Sequence, residues 1–425
     1  MNLLEKKVEM NLFKYNRHWE KQYRYPYKKH RTTFQQLIHE INTRQIVEIS
    51  GLRRTGKTTL LFQVLNYLID NDYNPFSLWY FTFDEEKIIL DELINTFSKQ
   101  TQIDFKKEKI TILLDEIQKL PNFQNQLKIY YDLYPNLKFF ISGSTSLFIK
   151  KKTQESLAGR IKSLFLNPLS FEEYLSFTDN LDILGNPQLF KNEIEKNFEI
   201  YLNNQFIESL SFPDINSKKD YFIGIMKKII FEDVPVIFSI TNPEVLWQVI
   251  RMIAQRPGIL IDYQSLANDI GLSNKTISSY LYYLEESFLV KKMYNFSRNR
   301  ITSEKKLKRY YLASPSFSWA LTDFPQIGLL VENFIASLKD YRFFWRDPYH
   351  HEIDFIDIDK NNMIIPIEIK YKEIIQSKDI KNLLLFSRKF GCNKAFIYRK
   401  GIEEKSISYR SPDIQIIEKP VYLYH

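Results

Sequence analysis

Cysteine is almost missing from this chain: Cys392 is the single one among 425 residues. One thiol excludes an internal disulfide and a cysteine-based zinc site, which suits a reducing compartment and makes the cytoplasm the expected location. No stretch approaches the roughly 18 consecutive apolar residues that a membrane-spanning helix needs. Met1 to Val8 is charged and has no apolar signal core. No membrane partner is therefore expected. Internal repeats and low-complexity tracts are absent too. Hydrophobic residues at 44% and charged residues at 26% are ordinary for globular protein and exclude wholesale disorder. The length exceeds one core and sets an expectation of about three domains. Acids are the charge in deficit: 51 Asp and Glu against 59 Lys and Arg leave a net +8, which leans toward a polyanionic partner.

What is present begins with Gly51-Leu52-Arg53-Arg54-Thr55-Gly56-Lys57-Thr58-Thr59, which fits the phosphate-loop pattern G-x-x-x-x-G-K-[ST]. Gln45 to Ser50 before it is apolar and β-branched. Leu60, Leu61, Val64, Leu65, Leu68 and Ile69 after it recur at helical spacing. Strand, glycine loop and helix are what the mechanism requires, since backbone N–H groups and a helix N-terminus then face a polyphosphate. Lys57 would reach the β- and γ-phosphates of ATP and Thr58 would ligate Mg²⁺. Arg53 and Arg54 lie inside the loop and could also contact phosphate.

Further strands are expected at Ser77 to Phe83, Ile110 to Leu114 and Leu137 to Ser142. Helical stretches between them imply a parallel sheet with its ligands at the carboxyl ends of the strands. Asp115 and Glu116 end the third strand. The first would hold Mg²⁺ and the second would polarise the attacking water, with Gln118 near enough to assist. Ser144, after the fourth strand in Ser142-Gly143-Ser144-Thr145-Ser146, is the expected γ-phosphate sensor. Arg160 in Leu157-Ala158-Gly159-Arg160 is the candidate arginine finger, in cis or across subunits of a homo-oligomer. A serine-rich turn and an ordinary surface arginine are the plain alternatives.

Tyr15 to Arg31 interleaves Arg17, Lys21, Arg24, Lys28, Lys29 and Arg31 with Trp19, Tyr23, Tyr25 and Tyr27. Such a pattern suits nucleic acid, or else an arm that packs on the ATPase through its tyrosines, the reading preferred here. Residues 169–245 read as helical and carry no legible chemistry. From Leu246 to Asn295 the pattern is a winged helix-turn-helix. Gly271 gives the turn and Ser273 caps a third helix, whose outward positions are Asn274, Lys275, Ser278, Ser279 and Tyr282. These could touch DNA, and the basic stretch Arg298 to Arg309 adds to that expectation.

Gln326 to His425 reads as helix, three strands, helix, strand. Asp354 lies in one strand and Glu368-Ile369-Lys370 in the next, with Glu332 on the preceding helix. Asp354 and Glu368 could share a divalent metal while Lys370 orients water, as in a nuclease. A solvated charged face is the plain alternative. His350 and His351 are adjacent, so their side chains diverge, and a structural or rim role is expected.

Taken together, GLRRTGKTT, LLDEIQKLPNF, ISGSTS, LAGR and PLSFEEYL resemble the prokaryotic AAA-superfamily ATPases often called archaeal ATPases. The tail is similar to the winged helix and PD-(D/E)XK nuclease-like domain that usually follow, through Leu329 to Asn333, Glu352 to Phe355 and Ile367 to Lys370. The resemblance implies ATP binding and hydrolysis by Lys57, Thr58, Asp115 and Glu116. Two departures stand out. Asn203-Asn204-Gln205 replaces a glycine-rich stretch, and Ala313 replaces an acid.

The expected fold is α/β, with a P-loop NTPase parallel sheet, then a winged helix-turn-helix and an α/β restriction-endonuclease-like domain. The expected boundaries are 1–31 for the arm, 32–168 for the ATPase core, 169–245 for the helical region, 246–325 for the winged helix and 326–425 for the last domain. The expected function is that of an ATPase whose C-terminal half binds DNA and could cleave it with a metal. The alternative is a nucleotide-controlled switch or scaffold that binds DNA or protein without cutting.

Overall fold

In the computed structural model the described residues are 11–84, 88–144, 157–238, 240, 242–299, 303, 307–410 and 413–423. They divide into two compact units, Met1–Asn167 and Pro168–His425. Thr145, Ser146, Glu85, Glu86 and parts of the basic stretch after residue 298 lie outside the described residues.

The apolar runs of the first unit become five strands: β1 (Ile46–Ser50), β2 (Leu78–Thr82), β3 (Ile110–Asp115), β4 (Leu137–Gly143) and β5 (Ile161–Phe165). They pair in the order β2-β3-β4-β1-β5, all parallel. The other four runs are legible because near-continuous burial selects β-branched and aromatic residues on both faces. β5 escaped the sequence reading. It is an edge strand whose side chains are largely exposed, so it carries no apolar signature.

Helices of this unit include α1 (Thr33–His39), α2 (Lys57–Asp70), α3 (Leu90–Thr101) and α4 (Phe123–Leu133). Leu60, Leu61, Val64, Leu65 and Leu68 form the buried stripe of α2. Each contributes about 1.5–3 kcal/mol relative to exposure.

The basic aromatic arm packs on this unit. Asn16 lies beside the free edge of β2, taking the Tyr80 N–H at 2.7 Å and giving its amide to the Tyr80 carbonyl at 2.9 Å. His18 Nε2 lies 3.0 Å from the Leu78 carbonyl. Tyr25 stacks on Phe62 with ring centroids 4.2 Å apart, and its backbone exchanges two hydrogen bonds with Asn66. An exposed strand edge is a liability, and here side chains occupy its polar groups.

In the second unit, helices α5 (Phe171–Phe177), α6 (Lys191–Leu202) and α7 (Ile215–Lys228) precede α8 (Pro243–Gln255). Then come β6 (Ile259–Ile261), α9 (Tyr263–Ile270), α10 (Asn274–Glu286), β7 (Val290–Asn295) and β8 (Lys308–Leu312). Ser273 caps α10 by accepting the Thr276 N–H. Helix α11 (Ile327–Leu338) leads to β9 (Phe343–Arg346), β10 (Glu352–Ile358) and β11 (Ile364–Lys370). Helix α12 (Ser377–Phe390), β12 (Lys394–Arg399), β13 (Lys405–Arg410) and β14 (Asp413–Pro420) complete it.

The strands form one mixed sheet, β13-β14-β12-β11-β10-β9-β7-β8-β6. The join between β7 and β9 is parallel, with Tyr294 opposite Phe343. A single sheet therefore runs across residues that the sequence reading assigns to two domains.

Candidate functional site

The phosphate loop leaves the carboxyl end of β1. Gly51 lies so close to the chain leaving β5 that a Cβ there would stand 2.4 Å from the Leu166 carbonyl oxygen, a contact only glycine avoids. Gly56 precedes α2 with φ 98°. The Lys57 ammonium is buried and donates to the carbonyls of Gly51 at 3.1 Å and Leu52 at 2.9 Å. Thr55 is buried as well, with its hydroxyl on the Leu52 carbonyl at 2.8 Å. Arg53 is half-buried, Arg54 is exposed, and Thr58 and Thr59 are half-buried.

Parallel pairing brings the ends of β1, β3 and β4 together, which converges residues far apart in sequence. The Thr58 hydroxyl donates to Asp115 Oδ2 at 2.5 Å, and Tyr80 on β2 donates to the same oxygen at 3.2 Å. Ser142 on β4 donates to Asp115 Oδ1. An all-oxygen pair of hydroxyl and carboxylate fits Mg²⁺, which prefers one or two carboxylates with the phosphates of its nucleotide.

Glu116 follows in the left-handed region at φ 52°. Gln118 Nε2 contacts its Oε2 and lies 3.2 Å from Ser144 Oγ, which in turn is 3.3 Å from Glu116 Oε2. Burial raises the Glu116 pKa, and the Lys57 charge opposes the rise. Lys57, Thr58, Asp115, Glu116, Gln118 and Ser144 are thus brought to one end of the sheet.

Arg160 is not. It stands at the amino end of β5, where its carbonyl accepts the Ile46 N–H at the start of β1 and its guanidinium binds Asp132 at 2.8 Å. That is the opposite end of a parallel sheet from the loop. The fold therefore does not bring Arg160, the candidate finger in cis, to the phosphate loop of its own chain.

Three residues went unrecognised. Tyr80 and Ser142 sit within strands that read only as apolar runs. Arg31, buried, donates to the Thr55 carbonyl at 3.0 Å and the Asn167 carbonyl at 2.9 Å, bracing the loop. Its sequence context marks it only as part of a basic arm.

In the second unit Glu332 on α11, Asp354 on β10 and Glu368 and Lys370 on β11 gather on one side of the sheet. Lys370 donates to Glu368 Oε1 at 2.5 Å. Glu332 is raised to about 7 and Glu368 to about 8, chiefly by burial and then by the charge of Asp354. Arg309 on β8, expected on a DNA-facing stretch, is instead buried among these acids. Among the described residues no three His, Cys, Asp or Glu side chains converge to hold a metal ion. His351 pairs with Asp347 at 2.8 Å and His350 contacts Arg346, so the two rings diverge.

Among the described residues no helix is long and apolar enough to cross a membrane. Residues 43–175 match the model of the AAA domain. Residues 208–327 and 328–418 match two models described as domains of unknown function, DUF8612 and DUF4143. Uncharacterized protein MJ1544 of Methanocaldococcus jannaschii is 26% identical over 359 residues, covering 79% of this chain and 77% of that one. An uncharacterized protein of Haemophilus influenzae is 29% identical over 265 residues, covering 60% of this chain and 64% of that one. The ADP form of the Aeropyrum pernix ORC2 protein is 14% identical and superposes loosely, with a TM-score of 0.35 over 76% of this chain and 98% of that one. The first unit thus has the parallel sheet and glycine loop of a P-loop nucleotide-binding domain, and residues 43–175 are similar to the AAA domain.

Proposed function

We propose that this protein is a Mg²⁺-dependent ATP hydrolase whose nucleotide state controls a DNA-binding C-terminal unit. The observation that carries the ATPase reading is the convergence of Thr58, Asp115 and Glu116 at the end of the sheet. Lys57 would bind the β- and γ-phosphates, and Thr58 and Asp115 would hold Mg²⁺, which would supply charge neutralisation for the transferring phosphoryl group. Glu116 accepts the proton of the attacking water, and Gln118 and Ser144 hold its carboxylate in place.

DNA binding is supported by the order α8-β6-α9-turn-α10-β7-β8, in which β6 and β7 both pair antiparallel with β8, as a winged helix requires. Asn274 and Lys275 are exposed at the start of α10, and Ser278, Ser279 and Tyr282 are half-buried beside them. A second reading, metal-dependent cleavage by Asp354, Glu368 and Lys370, has one observation in its favour. Glu368 Oε2 is buried with no hydrogen-bond partner.

Steady-state phosphate release and nucleotide binding test the first part. Lys57→Ala should abolish ATP binding, and Glu116→Gln should keep binding while turnover falls by about 10²–10⁴. Unchanged turnover in both variants would refute it. Fluorescence anisotropy with a labelled duplex tests the second part, with ADP and with ATP. Binding should weaken with salt, differ between the two nucleotides and fall in Lys275→Ala.

A further inference from the structure

Arg309 is 4% exposed and sits at the centre of the acidic cluster. From β8 its side chain crosses the sheet face over the Phe344 ring, 4.7 Å from the centroid, to reach residues of β10 and α11. Its Nη2 donates to Glu352 Oε2 at 3.0 Å. Its Nη1 stands 3.6 Å from Glu332 Oε1 and 3.7 Å from Asp354 Oδ1.

Several oxygens of the cluster are held by further donors. Asp354 Oδ2 accepts the Ile369 N–H at 2.9 Å, and Glu332 Oε1 accepts the Tyr311 hydroxyl at 2.6 Å. Glu352 Oε1 meets Arg346 at 2.7 Å, and Glu368 Oε1 meets Lys370. The turn at Gly258 closes over Glu332 so tightly that a Cβ there would come within 2.9 Å of Oε1. Glu368 Oε2 is the one carboxylate oxygen of the cluster that is buried and unbonded.

Mg²⁺ and Mn²⁺ take about six oxygens and keep several as water. Most oxygens of the cluster are already held by protein donors, which leaves few of them for that shell. A guanidinium beside Asp354 also repels a second cation. The residues therefore do not fit the divalent ion that the nuclease-like arrangement implies.

We infer that Arg309 takes the place of a divalent cation among Glu332, Glu352 and Asp354, so that the C-terminal unit carries an internally neutralised acid cluster that binds no metal and cuts no DNA. The buried guanidinium instead ties β8 to β10 and α11. An uncompensated carboxylate pair would be the costly state here, and the arginine relieves it. This conclusion stands independently of the nucleotide site.

Mn²⁺ binding to the nucleotide-free full chain, read by the EPR signal of the free ion, tests it. The wild-type chain should take up no Mn²⁺ at this cluster. Arg309→Met should gain one site per chain, and the double variant Arg309→Met/Glu368→Gln should lose it again. Circular dichroism checks the fold, and Arg309→Gln, which can still bond Glu352, serves if methionine is not tolerated. Uptake by the wild type that disappears in Asp354→Asn or Glu368→Gln would overturn the proposal. So would a folded Arg309 variant that takes up none.

Discussion

The hydroxyl of Thr58 and the carboxylate of Asp115 meet at 2.5 Å although 57 residues separate them. One opens α2 and the other ends β3, and only the parallel sheet makes them neighbours. Two oxygen donors at that distance form a ready half-shell for a hard cation. Thr58→Ala should weaken Mg²⁺-dependent ATP affinity by about 10–100-fold, a loss typical of damaged metal shells. Thr58→Ser should restore most of it. Titration of ATP with and without Mg²⁺ checks both.

Glu116 must be ionised to accept a proton, and burial holds its pKa above the ordinary carboxylate value of 4.5. The acid limb of kcat should therefore lie above that value, with turnover lost as pH falls through it. Replacing Gln118 with Leu removes a hydrogen-bond donor to the carboxylate and should move this limb further upward. A pH profile of kcat that is identical in Gln118→Leu and wild type would contradict the positioning role.

His18 is buried and held at about 4 against 6.5 when free, chiefly by desolvation, with its bond to the Leu78 carbonyl opposing. Below pH 6.5 the unfolded chain binds the extra proton more readily than the folded one. The stabilisation is complete above pH 6.5 and lost progressively toward pH 4, amounting to about 3 kcal/mol. Urea unfolding of the full chain across this range should show the slope, and His18→Gln should flatten it.

Asn16 takes and gives a hydrogen bond at Tyr80 on the edge of β2. Asn16→Ala leaves a buried N–H and a buried carbonyl unpaired and should cost about 3 kcal/mol. Asn16→Asp keeps the acceptor and should recover part of it. The arm is therefore a structural element of the ATPase unit, and Lys→Ala changes at its exposed Lys21 and Lys28 should leave stability unchanged.

Arg160 binds Asp132 at the end of the sheet opposite the loop. Arg160→Ala should leave ATP turnover of the dilute chain unchanged. Loss of turnover that grows with protein concentration would instead identify Arg160 as a finger offered to a second copy.

The loop at Gly51 to Thr59, the acids at 115 and 116 and four of the five parallel strands were legible in the sequence. Their chemistry is contiguous: a glycine turn needs its glycines in place, and a buried parallel strand must be apolar on both faces. Tertiary structure alone decided the rest. Asn16 and His18 read as ordinary residues of a basic arm until β2 appeared beside them, and β5 is too exposed to leave an apolar mark. Arg309 is 43 residues from Glu352 and looks like one more cation of a basic stretch. Its role comes from burial among acids on other strands, and pairing across such a distance leaves no periodicity to read. Sequence determined the glycine loop and the acids proposed to serve it. Packing decided that the second acidic cluster already has its cation.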